Sequence, residues 1–451
     1  MPSTYESAVH NLLALGYELA THRKFDLAHV RKLAEALGNP QRRFPSVLIA
    51  GTNGKGSTAA TLASIMQSAG YRTGLYTSPH LVRVNERIQI NGEQISDAEF
   101  AMVYERVEAV AHELVERGEL PWHPSFFEML TAMAFEYFAS AGIEFAVLEV
   151  GLGGRLDATN IVDPCISIIT DIDFDHQMFL GNTLPEIARE KAGIMRPKGT
   201  VVLLPQHPVV NDTLGKEIID RDARAISAVK HMPSLTPSAE SELIGIGPHN
   251  RFSLSVMGEE IHVDYPLAGR HQLRNLALAI TAAEQLHQCG FKILPHHVEE
   301  GIRMTRWPAR FQVISAEDGM PEIVLDVAHN PAGAWALRSA LSNFYEDRPL
   351  TFIFGSMRDK AITEIADIIF PLAERVIATQ SDNPRAASPG EIATQAAHTQ
   401  VQILQEKSVP AALDRARQLA GKSGVIVITG SIYIVGEALG ILASKPARQN
   451  A

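Results

Sequence analysis

Cysteine is nearly missing from this chain: two residues, Cys165 and Cys289, stand among 451, and they form no C-x-x-C pair. A disulfide framework is therefore not expected, and a reducing, cytoplasmic setting is. Long apolar runs are missing too, since no stretch reaches the ~18 consecutive apolar residues of a membrane helix. The N-terminal segment MPSTYESAVHNLLALGYELATHRK lacks a basic stretch followed by an unbroken apolar one, so no secretory signal is expected. Positive charge is in deficit, with 40 Lys and Arg against 51 Asp and Glu and a formal net charge of -11. An acidic chain is a poor general binder of nucleic acid, which leaves local basic pockets for an anionic ligand. Low-complexity segments and internal repeats are absent.

What remains is a chain long enough for two or three domains with cores of their own. Hydrophobic residues make up 46% of it and aromatics only 6%, while Ala and Gly abound, which suits tightly packed α/β layers. The apolar run Val47-Leu48-Ile49-Ala50 ends at a glycine-rich turn, and an Ala/Ser/Thr-rich helical stretch follows. Strands are expected at 72–76, 145–148, 166–169 and 201–204, with helices at 97–116, 125–141 and 271–288. This alternation predicts an α/β fold with a mostly parallel sheet. Residues 205–265 read as less regular. After Thr305-Arg306-Trp307-Pro308-Ala309-Arg310 a second series begins, with strands near 323–326, 350–354, 375–379, 401–404 and 424–429. The expected division is a P-loop domain over 1–306 and a smaller Rossmann-like α/β domain over 307–451.

The strongest chemical signal is Gly51-Thr52-Asn53-Gly54-Lys55-Gly56-Ser57-Thr58. A glycine loop between strand and helix turns backbone N–H groups toward an anion, the helix N-terminus adds its dipole, and Lys55 adds a full charge. The spacing departs from G-x4-G-K-[ST], because Gly56 occupies the place of the usual hydroxyl residue and Ser57 and Thr58 follow. Glu149 ends an apolar strand where ligand sites of parallel sheets lie. It reads either as a holder of Mg²⁺ or as a solvated strand-end acid. The loop Gly151-Leu152-Gly153-Gly154-Arg155-Leu156-Asp157 after it permits close backbone approach, and Arg155 can pair with a carboxylate or phosphate. The strand 166–169 likewise runs into Asp171, Asp173, Asp175 and His176, either an acidic surface loop or the setting of a metal ligand.

Thr183-Leu184-Pro185-Glu186 has the pattern of a capping box with Pro at the first helical position. In the helix that follows, Ile187, Lys191, Ile194 and Met195 share one face. Lys191 thus lies on an apolar stripe. It either snorkels to the edge or is a buried amine whose lowered pKa leaves a neutral nucleophile, able to add CO₂ and become an anionic carbamate. Beyond residue 311, Ile323-Val324-Leu325-Asp326 leads into Val327-Ala328-His329-Asn330-Pro331, again an acid at a strand end. Asp326 reads as an acceptor for ribose hydroxyls and Arg310 as a reach to phosphate, or each as an ordinary loop residue.

These stretches, with YTSPHLVRVNERI (76–88), SFFE (125–128), EVGLGGRLDATN (149–160), DHQMFLG (175–181), EKAGI (190–194), RHQLRN (270–275), WPARF (307–311) and ITGSIY (428–433), resemble the dihydrofolate synthase/folylpolyglutamate synthase family of the Mur ligase superfamily. The resemblance spans nearly the whole chain in family order. It implies the Mur ligase architecture and an ATP-dependent ligase that adds glutamate to dihydropteroate, to a reduced folate, or to both, through an acyl phosphate. Asn53, Gly54, Lys55, Gly56, Ser57, Thr58, Asn275, Arg310 and Asp326 match ATP-contacting positions. Ser78, Glu149 and His176 match magnesium ligands, with two metal sites expected. Lys191 matches the lysine that is carbamylated in the superfamily, and His329 follows Asp326 in the same loop. Catalytic roles are expected for Lys55, His176, Lys191 and His329. Lys24, Phe25, Asp26, Leu27, Ser125, Phe126, Phe127, Glu128, Gly154, Arg155 and Leu156 match pterin-binding regions, and Ser431 a glutamate-contacting loop.

The expected partners are therefore small molecules, with neither nucleic acid nor membrane, and a monomer. Four other readings compete. A single-activity folylpolyglutamate synthase shares these loops. A cell-wall Mur ligase shares the phosphate loop, metal ligands and lysine, but SFFE and GGRLDATN argue against it. A nucleotide switch of another class fits the loop alone, and no N-K-x-D stretch specifies guanine. A nicotinamide oxidoreductase needs G-x-G-x-x-G after the strand ending at Asp326, where this chain has VAHNPAG.

Overall fold

The computed structural model describes residues 4–16, 26–233, 248–316 and 320–443. The chain divides into two compact units. The first comprises residues 1–233, 253–262 and 274–305, and the second 234–252, 263–273 and 306–451.

The first unit is built on eight strands: β1 (Ser46–Ala50), β2 (Thr73–Tyr76), β3 (Ile88–Ile90), β4 (Glu93–Gln94), β5 (Phe145–Glu149), β6 (Ile166–Ile169), β7 (Thr200–Leu203) and β8 (Arg224–Ser227). Their order is β4-β3-β2-β5-β1-β6-β7-β8, parallel except where β3 and β4 turn back at one edge. Every residue of β1 and β5 is buried, which explains their unbroken apolar sequence: a central parallel strand is covered on both faces and has no polar side to show. The helix Lys55–Ser68 leaves β1 and packs tightly on the helix Pro295–Met304. A Cβ on Gly301 would sit 2.4 Å from the Ile65 Cα, and the Ser64 hydroxyl donates to the Gly301 carbonyl at 2.7 Å.

The described residues of the stretch 205–265 prove more regular than the sequence suggested. They contain the helix Pro208–Asp220, the edge strand β8, and a separate two-stranded sheet of β9 (Asn250–Val256) and β10 (Glu259–Tyr265). Ile261, Val263 and Tyr265 are buried and alternate with more exposed neighbours, so β10 follows the period of a half-covered strand.

The second unit has β11 (Gln312–Ile314), β12 (Glu322–Leu325), β13 (Leu350–Phe354), β14 (Arg375–Ala378), β15 (Ile403–Gln405) and β16 (Val425–Thr429), in the order β11-β12-β16-β13-β14-β15. Only β11 runs antiparallel to its neighbour. Its core gathers Val324, Leu337, Phe352, Phe354, Phe370 and Val427, all essentially without solvent contact. Both units are thus α/β with mostly parallel sheets. Among the described residues no helix is long and apolar enough to cross a membrane.

Candidate active site

Three neighbouring strands deliver the chemistry of the first unit to one end of the sheet. Ile49 of β1 lies beside Glu149 of β5, and Ala50 beside Ile169 of β6. The loops that follow β1, β5 and β6 therefore emerge together at the carboxyl ends of parallel strands, where ligand sites of such sheets lie.

The loop after β1 ends at Gly54, which caps the helix Lys55–Ser68 with φ of 87°. A side chain is doubly unwelcome there, because the left-handed backbone disfavours any Cβ and one would lie 2.0 Å from the Asn275 Oδ1. Asn275, on the helix Arg270–Gln288, is thereby pressed against the phosphate-type loop, and the Thr58 hydroxyl donates to its carbonyl at 3.5 Å. Ser57 and Thr58 are buried in the first helical turn. The amides of Thr52 and Asn53 donate to the Asp171 carbonyl at 2.8 and 3.1 Å, which ties the loop to the end of β6.

Two lysines converge on one carbonyl. Lys55 curls back so that Nζ donates to the carbonyls of Gly51 at 3.1 Å and Thr52 at 3.3 Å. Lys191 arrives from the helix Leu184–Ala192 and donates to the same Gly51 carbonyl at 2.8 Å. Of the two readings open for Lys191, burial holds: it is 4% exposed. Burial, followed by the charge of Lys55, pushes its amine down to about 7, while Asp175 and Asp157 oppose the shift. The capping box that starts this helix is present as expected, with Thr183 and Glu186 exchanging bonds.

Glu149 is buried, and the Ser78 amide donates to its Oε2 at 3.1 Å. A carboxylate and a hydroxyl residue side by side suit a hard divalent cation that keeps water or phosphate on its other positions. His176 stands half-buried at the start of the short helix Gln177–Leu180, with φ of 51° and its Nε2 3.8 Å from Asp175. Among the described residues, no group of three or more His, Cys, Asp or Glu is gathered as a metal cluster. An ammonium on Lys191 has no lone pair to offer, so the residue could act as a ligand only as the neutral amine or, with an anionic charge, as a carbamate.

The stretches matched to pterin binding meet in a small apolar cluster. Leu27, Val30 and Ala158 are buried in it, with Phe127, Leu156 and Ile161 packed around. Phe127 also limits the following loop, since a Cβ on Gly151 would lie 2.6 Å from its ring. Several polar side chains of these stretches are already engaged. Ser125 Oγ and N both donate to Glu128 Oε2, at 2.7 and 2.8 Å, as the cap of the helix Phe126–Ser140. Asp26 caps the helix Leu27–Ala36 through the Ala28 amide, and Arg155 pairs with Glu190 at 2.9 Å. Phe126 is buried, while Gly154 lies against the carbonyls of Glu190 and Lys191. Lys24 and Phe25 lie outside the described residues.

In the second unit the candidate residues also gather at strand ends. Asp326 follows β12 and is buried; it accepts from the amides of Phe311 and Ala328, each at 2.9 Å. Burial raises its carboxyl above the ordinary range, against the pull of Arg310. His329 donates from Nδ1 to the Val327 carbonyl at 2.9 Å, because a carbonyl can only accept; in the neutral ring Nε2 is then the accepting nitrogen. The Gly430 amide donates to the Ala328 carbonyl at 3.1 Å, which brings Ser431 beside this loop at the end of β16. Ser431 is buried, and its hydroxyl accepts from the Tyr433 amide at 3.2 Å.

Two residues matter here that sequence reasoning assigned no role. Asp157 is buried and accepts from the amides of Gly151, Leu152 and Thr159, so it shapes the glycine loop after β5. Arg274 forks onto Asp171. Both lie inside quoted motifs, yet an Asp just after a glycine loop or an Arg beside Asn275 carries no local mark of its partner.

The folds and loops define a Mur-type ligase. The Mur ligase middle-domain model matches residues 125–283, and the Mur ligase glutamate ligase domain model matches 309–432. The Bacillus subtilis dihydrofolate synthase/folylpolyglutamate synthase is 30% identical over 97% of this chain and 99% of its own. A probable bifunctional folylpolyglutamate synthase/dihydropteroate synthase of Halobacterium salinarum is 35% identical over 90% of this chain, and the chain spans 48% of that longer protein. Among solved structures, Mycobacterium tuberculosis folylpolyglutamate synthase complexed with ADP superposes with a TM-score of 0.87 at 32% identity, covering 97% of this chain and 100% of that one. E. coli FolC in complex with DHPP and ADP gives 0.84 at 27% identity, covering 99% of each chain. The chain belongs to the dihydrofolate synthase/folylpolyglutamate synthase family.

Proposed function

We propose that this protein is an ATP-dependent ligase that joins glutamate to dihydropteroate and to a reduced folate through an acyl phosphate. The observation that carries the reading is the meeting of Lys55 and Lys191 on the Gly51 carbonyl, inside a loop whose amides and helix N-terminus suit phosphate. The names of the relatives and the nucleotide-bound neighbours support ATP, and the DHPP complex of the E. coli protein supports a pterin acceptor.

A carboxylate is a poor acyl donor. In the proposed reaction its oxygen attacks the γ-phosphorus of ATP, and ADP leaves. Loop amides and Lys55 spread the charge that moves in this step. Ser78 and Glu149 would hold Mg²⁺, with His176 and a carbamylated Lys191 as further ligands; the ion would screen the phosphate charges. The amine of glutamate then attacks the acyl carbon, the amide bond forms, and phosphate leaves. His329 is assigned to take the proton released from the ammonium, through Nε2. Arg310, Asp326 and Asn275 are assigned to the nucleotide, Ser431 to glutamate, and the cluster around Leu27, Phe127 and Leu156 to the pterin. We take residues 1–306 as the ATP-binding domain and 307–451 as the C-terminal ligase domain.

The test is ATP turnover with glutamate and Mg²⁺, comparing dihydropteroate with tetrahydrofolate and identifying products by mass. Glutamylated product from both establishes two activities, and from one alone narrows the enzyme to that step. Folded protein that binds ATP but uses neither would move the acceptor away from folates.

A further inference from the structure

The phosphate-type loop does not hold its shape by itself. Its Thr52 and Asn53 amides both end on the carbonyl of Asp171, and the Thr52 hydroxyl exchanges bonds with the backbone of Asp173 at 2.9 and 3.0 Å. The backbone on either side of Asp171 is held in turn by Gln206, whose Nε2 donates to the Thr170 carbonyl at 3.2 Å and whose Oε1 accepts from the Ile172 amide at 2.7 Å. The Asp171 side chain takes a two-pronged contact from Arg274, with Nε to Oδ2 at 2.8 Å and Nη2 to Oδ1 at 2.6 Å. The same Nη2 donates to the Pro205 carbonyl at 2.9 Å. Arg274 thus joins the segments after β6 and β7, and its chain neighbour Asn275 abuts Gly54.

We infer that Arg274 is a positioning residue for the phosphate loop, acting through Asp171 rather than touching the nucleotide. A planar fork fixes both the place and the tilt of a carboxylate, which a single ammonium cannot do. Fixing Asp171 fixes the carbonyl on which Thr52 and Asn53 hang, and therefore the direction in which the loop presents its remaining amides. The inference rests on the reading of this loop as the ATP site.

The test measures ATP affinity and steady-state constants for the wild type, Arg274→Gln, Arg274→Lys, Asp171→Asn and the double variant Arg274→Gln/Asp171→Asn. The expected result is a rise of about tenfold in KM and Kd for ATP in Arg274→Gln, with KM for the pterin carboxylate and glutamate unchanged. Arg274→Lys should fall between it and the wild type. Asp171→Asn should match Arg274→Gln, and the double variant should lose no more than either single one, because both remove the same contact. A merely structural pair would lower the unfolding temperature without this selective loss for ATP. Unchanged ATP constants in Arg274→Gln, or losses that multiply in the double variant, would overturn the inference. Wild-type protein that fails to bind ATP would overturn the reading beneath it instead.

Discussion

Lys191 shows what a single position can and cannot reveal. Helical spacing places it on an apolar stripe with Ile187, Ile194 and Met195. Spacing could not choose between snorkelling and burial, because the deciding partner, the Gly51 carbonyl, lies 140 residues away in sequence. Removal of the side chain should leave the fold intact, since Lys55 still donates to that carbonyl, and should abolish glutamate-dependent ATP turnover. A short carboxylic acid should restore part of the activity if a carbamate is the working form. Full turnover in Lys191→Ala would remove the residue from the mechanism. His80 makes a second prediction at this scale. Burial, and then the charge of Arg87, whose Nε donates to its Nδ1 at 2.9 Å, pushes its imidazole from 6.5 down to about 3. Between these values the unfolded chain binds a proton that the folded chain refuses, so stability falls as pH drops below 6.5. His80→Gln keeps an acceptor for Arg87 but does not titrate. Its unfolding free energy between pH 4 and 6.5 should depend less on pH than that of the wild type, and equal slopes would contradict the account.

Elements were most legible where period and boundary agreed. The helix 97–116 and the strands at 166–169 and 350–354 follow their apolar patterns residue for residue. The T-x-x-E pattern Thr183–Glu186 folds as a capping box as its residues predict, and Ser388 and Glu391 form another. The hairpin of β9 and β10 escaped notice although Ile261, Val263 and Tyr265 alternate, because nearby turn signals masked a pattern only seven residues long. The SFFE stretch taught the reverse lesson. Its likeness to a substrate-binding region concealed an ordinary local duty, the cap formed by Ser125 and Glu128. Ser125→Ala should therefore cost about 1 kcal/mol of stability in denaturant unfolding, the usual cost of losing such a cap. No change in stability would contradict the part assigned to Ser125 as the cap of this helix.

At the scale of the whole molecule, α/β architecture was readable because alternating strands and helices leave few other ways to cover a parallel sheet. The meeting of Gly51, Asp171, Lys191 and Arg274 was not, because it depends on strand order, and β1 has its neighbours β5 and β6 far along the chain. A ligand that binds only the folded form stabilises it by mass action. ATP at about one hundred times its Kd should therefore raise the unfolding free energy by about 2.7 kcal/mol. Lys55→Ala should lose most of this gain in a thermal-shift titration while keeping the fold; an undiminished shift would take Lys55 out of the nucleotide site. The central claim, phosphoryl transfer to the acceptor carboxylate before amide formation, is tested most directly by following oxygen. Dihydropteroate labelled with ¹⁸O in its carboxylate, turned over with ATP and glutamate, should deliver one labelled oxygen to each phosphate released. Phosphate free of label, formed alongside glutamylated product, would contradict the acyl-phosphate route.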